Sequence, residues 1–208
     1  MELLELLKEK ISSSTYPIAL TGSEITLASG IPSFESNYLG YSLNEILSLE
    51  FSQKNYAIFL QTCFLISRWN KKKPNIFHNT LKKLDIPIIT ENIDMLHLKA
   101  GSTNVIQLLG NINDFICTKC SFTVPFYNTN KYFKNDNIPY CPVCNSPIKL
   151  NIILRGESCL NFNHALNEVY RADTLLVLGS NLERWPINKL VKIAQKQGSR
   201  IILYESDI

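Results

Sequence analysis

The segment IITENIDMLHLKAG, residues 88–101, carries the clearest indication of the fold. An apolar run at 86–89 is typical of a buried strand, and it leads into a polar cluster at 90–94. In open sheets of parallel strands, ligands bind outside the carboxyl ends of the strands. The segment therefore predicts a strand that brings Glu91, Asn92 and Asp94 to a ligand site.

Strands and helices alternate along the rest of the chain. Apolar runs predict strands at 16–20, 86–90, 105–108, 174–178 and 200–204, and helical spacing predicts helices at 2–11, 42–68, 76–84, 160–171 and 186–197. We expect the region 42–68 to divide into two helices near Leu49. This alternation is typical of an α/β protein with a mainly parallel sheet. We expect a Rossmann-like domain formed by residues 1–110 and 151–208, with a helical insert at about 33–75.

The composition changes between residues 111 and 150, where aromatic residues, Asn, Pro and Cys replace the aliphatic pattern. Two C-x2-C pairs, separated by 20 residues, lie in this stretch: Cys117 with Cys120 and Cys141 with Cys144. The spacing is typical of a tetrahedral four-thiolate zinc site, and a reducing compartment disfavours the alternative of two disulfides. Four protein ligands leave no position for a substrate water, so the predicted zinc is structural.

Charge and hydropathy argue against a nucleic-acid-binding, secreted or membrane-spanning protein. The net charge is only +3, and the one dense basic run, Lys71 to Lys73, gives no stripe for nucleic acid. Charged residues interrupt the apolar ones in the N-terminal helix, unlike a signal peptide, and no apolar run approaches the roughly 18 residues of a membrane span. We expect a cytoplasmic protein that binds neither nucleic acid nor membrane. The oligomeric state cannot be predicted.

Several strings, in order, resemble the sirtuin family. They are ALTGSEITLASGIPSF (19–34), the opening segment IITENIDMLHLKAG, the two C-x2-C pairs, ILRGE (153–157) and ADTLLVLGSNLERWP (172–186). The resemblance implies a Rossmann-like domain with an inserted zinc ribbon and a cleft between them. It also implies NAD-dependent removal of acyl groups from lysine in a peptide or protein, with ILRGE as the strand that pairs with the peptide.

The resemblance also implies roles for individual residues. In the family pattern, Asn92 positions ribose or water and Asp94 holds the amide of nicotinamide. The turns expected to bind the rest of NAD contain Gly22, Ser23, Gly179 and Ser180. Taken without the resemblance, Asn92 and Asp94 equally suit a loop that caps the short helix after it, with Asp94 as the N-cap.

One departure from the family pattern concerns catalysis. Sirtuins carry a His-Gly pair where this chain has Leu109 and Gly110. General-base assistance is typically worth 10² to 10⁴ in rate, and a leucine cannot accept a proton. We therefore expect classical deacylation to be weak or absent. Glu91 replaces a family Gln, and a carboxylate there could support residual NAD cleavage or ADP-ribosyl transfer through an oxocarbenium-like state, together with Asn92 and Asp94.

Other departures surround the expected nucleotide site. Glu24 replaces a Gly, Glu35 an Arg, Tyr204 an adenine-contacting Asn, and Arg155 a Phe of the acyl-lysine tunnel. A carboxylate about 4 Å from a phosphate costs about 1 kcal/mol in bulk water and about 4 kcal/mol at an intermediate dielectric. Arg155 would favour an acidic acyl group or an acidic partner, or would pair with Glu24 or Glu35.

Two interpretations follow. The chain is either an NAD-dependent transferase or NAD glycohydrolase of sirtuin type, or an inactive sirtuin-like scaffold that binds a protein or peptide.

Overall fold

The computed structural model describes residues 3–125, 128, 131–132 and 138–204. The strands found there are β1 (Pro17–Thr21), β2 (Asn37–Tyr38), β3 (Tyr41–Ser42), β4 (Ile88–Thr90), β5 (Val105–Gln107), β6 (Gly110–Cys117), β7 (Thr123–Pro125), β8 (Ile148–Ile152), β9 (Thr174–Leu178) and β10 (Arg200–Tyr204). The helices are α1 (Leu3–Ile11), α2 (Glu24–Leu27), α3 (Leu43–Ile46), α4 (Leu49–Lys54), α5 (Tyr56–Ser67), α6 (Ile76–Leu84), α7 (Leu96–Lys99), α8 (Phe162–Arg171) and α9 (Ile187–Lys196), with a 3-10 turn at Arg68–Lys71.

Five parallel strands form the central sheet in the order β10-β9-β1-β4-β5. The chain runs outward from β1 to β4 and β5, then crosses to the other side of β1 to form β9 and β10. The direction of winding therefore reverses between β1 and β9, where the loops that follow the two strands diverge. Such a switch point is where open α/β sheets bind ligands.

Helices cover both faces of this sheet. Successive residues of a strand point to opposite faces, so in β1 Ile18 and Leu20 join one core cluster and Ala19 joins the other. The first cluster is closed by α8 and α9, and the second by α1 and α6. Burial on both faces explains why the central strands are almost entirely aliphatic.

A separate antiparallel sheet of three strands has the order β7-β6-β8. Its strand β6 ends at Cys117, and the other three paired cysteines lie in turns and loops outside the strands. The apolar side of this sheet packs against α5, where the Phe64 and Phe115 rings stack with centroids 5.3 Å apart. Cys63 of α5 is buried in the same cluster, whereas Cys159 is partly exposed. β6 begins at Gly110 and β8 ends at Ile152, while the predicted domain limits themselves stay a prediction.

The predicted fold class is confirmed, including the parallel sheet and the separate cysteine-bearing sheet. The predicted break near Leu49 is confirmed, because α4 begins there, but the number of two helices across 42–68 was wrong, because α3, α4 and α5 occupy this region. The hydroxyls of Ser42 and Ser48 accept hydrogen bonds from Glu45 N and Phe51 N, so each starts a new helix. Among the described residues, no helix has both the length and the apolar character that a membrane crossing requires.

Candidate functional site

Three loops meet at the switch point. Gly22 lies directly after β1. Its N–H donates a hydrogen bond to Leu178 O at 3.0 Å, and its C=O accepts one from Asn92 Nδ2 at 2.9 Å. A Cβ atom at Gly22 would lie 2.4 Å from Gly179 O and 2.5 Å from Glu91 Oε1. A side chain at Gly22 would therefore separate the turns after β1, β4 and β9, which are held together by direct contact.

Glu91 extends its carboxyl group into this junction. Ser180 Oγ donates a hydrogen bond to Glu91 Oε1 at 3.3 Å, and within the described chain no lysine or arginine comes within ion-pair distance. Burial raises the pKa of Glu91 to about 7, with a smaller contribution in the same direction from Glu24 and with opposing effects from the Ser180 hydrogen bond and the Arg184 charge. Near neutral pH this carboxyl group is therefore poised between its neutral and ionised forms.

Asn92 and Asp94 are both buried, at 3 % exposure each. The Asn92 side chain holds Gly22, while Asp94 Oδ1 accepts a hydrogen bond from Leu96 N at 2.9 Å at the start of α7. Burial raises the pKa of Asp94 to about 6. The N-cap of α7 is Met95, so the interpretation of Asp94 as the N-cap was wrong by one position, although its carboxyl group does bond the first residue of the helix. The proposed roles of Asn92 and Asp94 toward NAD stay predictions.

Two histidines lie behind these loops rather than in an open site. The His78 and His97 rings pack with centroids 4.8 Å apart, and His97 Nε2 lies 2.9 Å from Thr21 Oγ1. Burial lowers the pKa of His78 to about 4 and that of His97 to about 3. Both rings are neutral at physiological pH and serve the packing of α6 against α7.

A cleft of about 770 Å³ opens in front of the junction. One wall is the segment from Ile152 to Ser158, and the other contains Asn181, Arg184 and Trp185. Its interior is mainly aliphatic and aromatic, with side chains from Phe34, Leu47, Ile93, Leu109 and Leu154. Leu109 therefore lies in the wall itself, and the described residues that line the cleft include no histidine.

The other departures from the family pattern take different positions. Glu24 begins α2, and its Cβ would lie 2.8 Å from a Cβ at Gly179, beside the expected phosphate turn. Glu35 pairs with Arg184, with Nη2 3.4 Å from Oε1. Among the described residues Arg155 forms no ion pair with Glu24 or Glu35, so the suggested pairing is wrong. The Tyr204 ring packs edge-to-face on Phe77 at 6.0 Å, on the α1 and α6 side of the sheet.

Sequence reasoning did not single out Arg184 and Trp185. Both belong to the loop that follows β9, and Arg184 is the residue that faces Glu35 and acts on Glu91. Their position, a few residues beyond the carboxyl end of a predicted central strand, is the one signal that marks them beforehand.

The four paired cysteines form a compact candidate metal centre. Their sulfur atoms all lie within 4.8 Å of one another, with Cys117 and Cys144 at 3.4 Å and Cys120 and Cys141 at 3.6 Å. Tetrahedral zinc with Zn–S bonds of about 2.3 Å places its ligands about 3.8 Å apart. The donor set and its spacing fit zinc.

The two cysteine turns are built alike. Ser121 and Asn145, the residues directly after each pair, have φ of 58° and donate their N–H to Cys117 O and Cys141 O. Within the turns, backbone N–H groups point at sulfur, as in the 3.4 Å contact from Val143 N to Cys141 Sγ. Such N–H donors stabilise thiolates, which are the form that binds zinc.

Residues 22–186 match the model of the Sir2 family. The chain belongs to the Sir2 family. This confirms the resemblance to sirtuins, which use NAD. The NAD-dependent protein deacetylase of Saccharolobus solfataricus is 32% identical across 96% of this chain and 84% of the relative. The NAD-dependent protein deacetylase of Thermotoga maritima is 32% identical across 97% of this chain and 85% of the relative.

Solved sirtuin structures agree along nearly the whole chain. A Sir2 protein bound to an acetylated peptide superimposes with a TM-score of 0.84 at 31% identity, covering 98% of this chain and 86% of the other. A Sir2 homologue in complex with NAD gives a TM-score of 0.85 at 28% identity, covering 96% of this chain and 81% of the other. The sirtuin fold, with its cleft between the sheet and the cysteine-bearing module, is thereby established for this chain.

Proposed function

We propose that this sirtuin binds NAD and a peptide in its cleft but removes acyl groups from lysine weakly or not at all. The observation that carries the proposal is Leu109, an aliphatic side chain in the cleft wall where the family pattern has its histidine. The relatives are named NAD-dependent protein deacetylases, and related structures hold NAD or an acetylated peptide. Family membership thus supports the ligands, while Leu109 argues against full activity.

The loops after β1 and β9 support NAD binding. No hydrogen bond within the described chain engages the N–H groups of Ser23 and Ser180, which remain available to a pyrophosphate. Gly22 and Gly179 allow the turns after β1 and β9 to pack directly against each other and against α2, because a Cβ at either position would lie less than 3.0 Å from neighbouring atoms. Glu24 and Glu91 oppose NAD binding, since an ionised carboxylate beside a phosphate weakens its binding.

The missing base sets the size of the expected defect. Loss of general-base assistance raises a barrier by about 3 to 5.5 kcal/mol, which lowers the rate about 10²- to 10⁴-fold. Leu109→His should therefore increase the formation of deacetylated peptide from an acetyl-lysine peptide, with nicotinamide released and the acetyl group passed to ADP-ribose, and with little change in NAD affinity. The matched control is Leu203→His, which makes the same replacement at a half-exposed position of β10 outside the cleft.

The parent protein provides the decisive comparison. If it deacetylates the peptide as fast as its Leu109→His variant, with nicotinamide appearing in step, Leu109 does not limit the reaction and the proposal is wrong. Nicotinamide release and deacylated peptide should be quantified in the same samples, because cleavage of NAD without deacylation is the pattern expected of the parent.

A second activity is favoured by the position of Glu91. A carboxylate beside the ribose stabilises the positive charge that develops as a glycosidic bond breaks, and water or another nucleophile then takes the ribosyl group. Glu157, another acid of the cleft, is already paired with Lys149 at 3.1 Å, which leaves Glu91 as the carboxyl group available at the junction. We expect slow nicotinamide release that Glu91→Gln abolishes and the exposed control Glu183→Gln preserves. Release that is unchanged by Glu91→Gln, or undetectable from the parent, excludes this activity.

The alternative is a scaffold that binds a peptide without chemistry. It is supported by Leu109 together with the acidic groups at the phosphate turn. Thermal unfolding with NAD separates the two cases, because a ligand at 100 times its dissociation constant adds about 2.7 kcal/mol to the free energy of unfolding. An unfolding midpoint that does not move with millimolar NAD, while an acetyl-lysine peptide still binds, would establish the scaffold.

A further inference from the structure

The outer wall of the cleft is the wall formed by the segment from Ile152 to Ser158. Its backbone is hydrogen-bonded to the protein along one edge and has free groups along the other. Arg155 N donates to Leu47 O at 3.0 Å, and Leu49 N donates to Arg155 O at 2.9 Å, so this residue is fixed along one edge. Gly156 follows with φ of 102° and lines the cleft. Among the described residues, no hydrogen bond uses its N–H or C=O, which leaves backbone groups for an added peptide strand.

The side chain of Arg155 brings a cation to this open edge. Arg155 is exposed and forms no ion pair within the part of the chain that the structure describes. Glu50 acts on it electrostatically but is itself paired with Lys54, with Nζ 2.7 Å from Oε1. A carboxylate on an incoming peptide would therefore meet an arginine whose charge is not already matched.

Arg184 supplies a second cation on the opposite wall. It pairs with Glu35 at 3.4 Å, but the two side chains are 57% and 63% exposed. Ion pairs this exposed are weak, so a peptide carboxylate can compete with Glu35 for the guanidinium group. The remaining acid of the outer wall, Glu157, is held by Lys149 and by Leu154 N at 2.8 Å.

The two arginines lie at a different level of the cleft from its apolar side chains. Both are exposed at its rim, whereas Phe34, Leu47 and Leu109 make the interior apolar. A charged acyl group would be desolvated in that interior, while acidic side chains on either side of the lysine would stay at the rim beside the arginines.

We propose that the cleft selects peptides in which acidic side chains flank a lysine that carries a neutral acyl group, with Arg155 and Arg184 as the residues that determine this specificity. The inference rests on the proposed binding of a peptide in the cleft, but it requires neither NAD cleavage nor deacylation. A basic or neutral sequence around the lysine should bind less tightly.

Fluorescence anisotropy with labelled acetyl-lysine peptides tests the proposal directly. The peptides share one length and carry glutamates, glutamines or lysines on both sides of the acetyl-lysine. At low salt we expect the acidic peptide to bind about tenfold more tightly than the neutral one, and the basic peptide least tightly. The preference should shrink as salt is raised, because the arginines are exposed and their charges are screened.

Variants assign the preference to the rim. Arg155→Gln and Arg184→Gln should each reduce the ratio between acidic and neutral peptides, and Arg155→Glu should favour the basic peptide. Lys83→Gln, which removes an exposed cation from α6 outside the cleft, should leave the ratio unchanged.

Three results would overturn the inference: equal affinity for all peptides, a preference that survives both arginine variants, or no binding of any peptide at millimolar concentration. Nicotinamide release and NAD-dependent unfolding, measured on the same preparations, report separately on the proposed function. A protein that prefers acidic peptides but neither binds nor cleaves NAD would keep this inference while the enzymatic proposal fails.

Discussion

The side chain of Glu91 can either favour or oppose NAD binding in this cleft, depending on its protonation state. It lies against Gly22 and Ser180, where the phosphates of NAD are expected, and burial raises its pKa to about 7. In the neutral form it can donate a hydrogen bond. In the ionised form it places a negative charge beside the negatively charged phosphates of NAD.

NAD affinity should consequently depend on pH. Below the pKa of about 7 the Glu91 carboxyl group is neutral, and above it the ionised group repels the pyrophosphate, so affinity should fall as pH rises. Between about pH 6 and about pH 8 we expect a loss of roughly 5- to 10-fold by calorimetry. Glu91→Gln should bind more tightly at the higher pH and remove most of this dependence, while Glu183→Gln should retain it. An affinity that rises with pH in the parent would contradict this.

Single residues also show how far the sequence could predict the site. The position of Glu91, Asn92 and Asp94 at the end of β4 was predictable because they follow an apolar strand directly, while their roles toward NAD stay predictions. Arg184 was not predictable, because its role depends on a turn that brings it opposite Glu35, and no local pattern encodes that contact.

Among the elements, α6 depends strongly on its first residues. The Asn75 side chain accepts a hydrogen bond from Phe77 N at 3.0 Å and donates to Ile25 O at 2.6 Å and Ser29 Oγ at 2.9 Å. One side chain thus caps α6 and ties it to the segment after β1.

Asn75→Ala should lower the free energy of unfolding by about 1 to 2 kcal/mol, because it removes the cap and leaves partly buried groups without partners. Urea unfolding measures this. Asn79→Ala, at an exposed position of the same helix, should change stability by less than about 0.5 kcal/mol. Equal effects of the two variants would show that the Asn75 contacts contribute nothing specific.

Element boundaries were predicted best where packing and pattern agree. The strand at 174–178 and the helix at 76–84 coincide with β9 and α6, since each combines a strong apolar pattern with clear ends. The region 42–68 was harder, because Ser48 and Asn55 interrupt an otherwise helical composition and only the local capping contacts reveal the breaks.

On the scale of the whole molecule, the cysteine-bearing sheet and the central sheet belong to different core clusters. Phe115, Ile148 and Leu150 share a cluster with α5, while the core strands β1 and β9 are buried under α1, α6, α8 and α9. Zinc should therefore stabilise the first cluster more than the second.

Removal of zinc tests this division. We expect about one zinc per chain by metal analysis, and a chelator should increase hydrogen exchange in β6 and β8 well before it does so in β1 and β9. Cys120→Ser should reproduce the effect of the chelator, and Cys63→Ser should leave the zinc content unchanged. Equal loss of protection in both sheets would show that they unfold as one unit.

The sequence predicts most of this architecture because each layer has its own pattern: aliphatic strands for the buried sheet, amphipathic helices for its faces, and paired cysteines for the inserted module. The sequence does not predict how these layers combine to form the cleft. The cleft walls combine residues 47–49, 152–158 and 181–185, and contacts between segments so distant along the chain leave no periodic signal.

The main chain at Arg155 is anchored by its neighbours through groups that every amino acid except proline possesses. Exchange of its side chain should therefore leave the supporting framework intact, and the same framework could be re-tuned to other ligands by substitutions at one outward-facing position. At this position, the side chain can change which ligand is recognised without changing the stability of the fold.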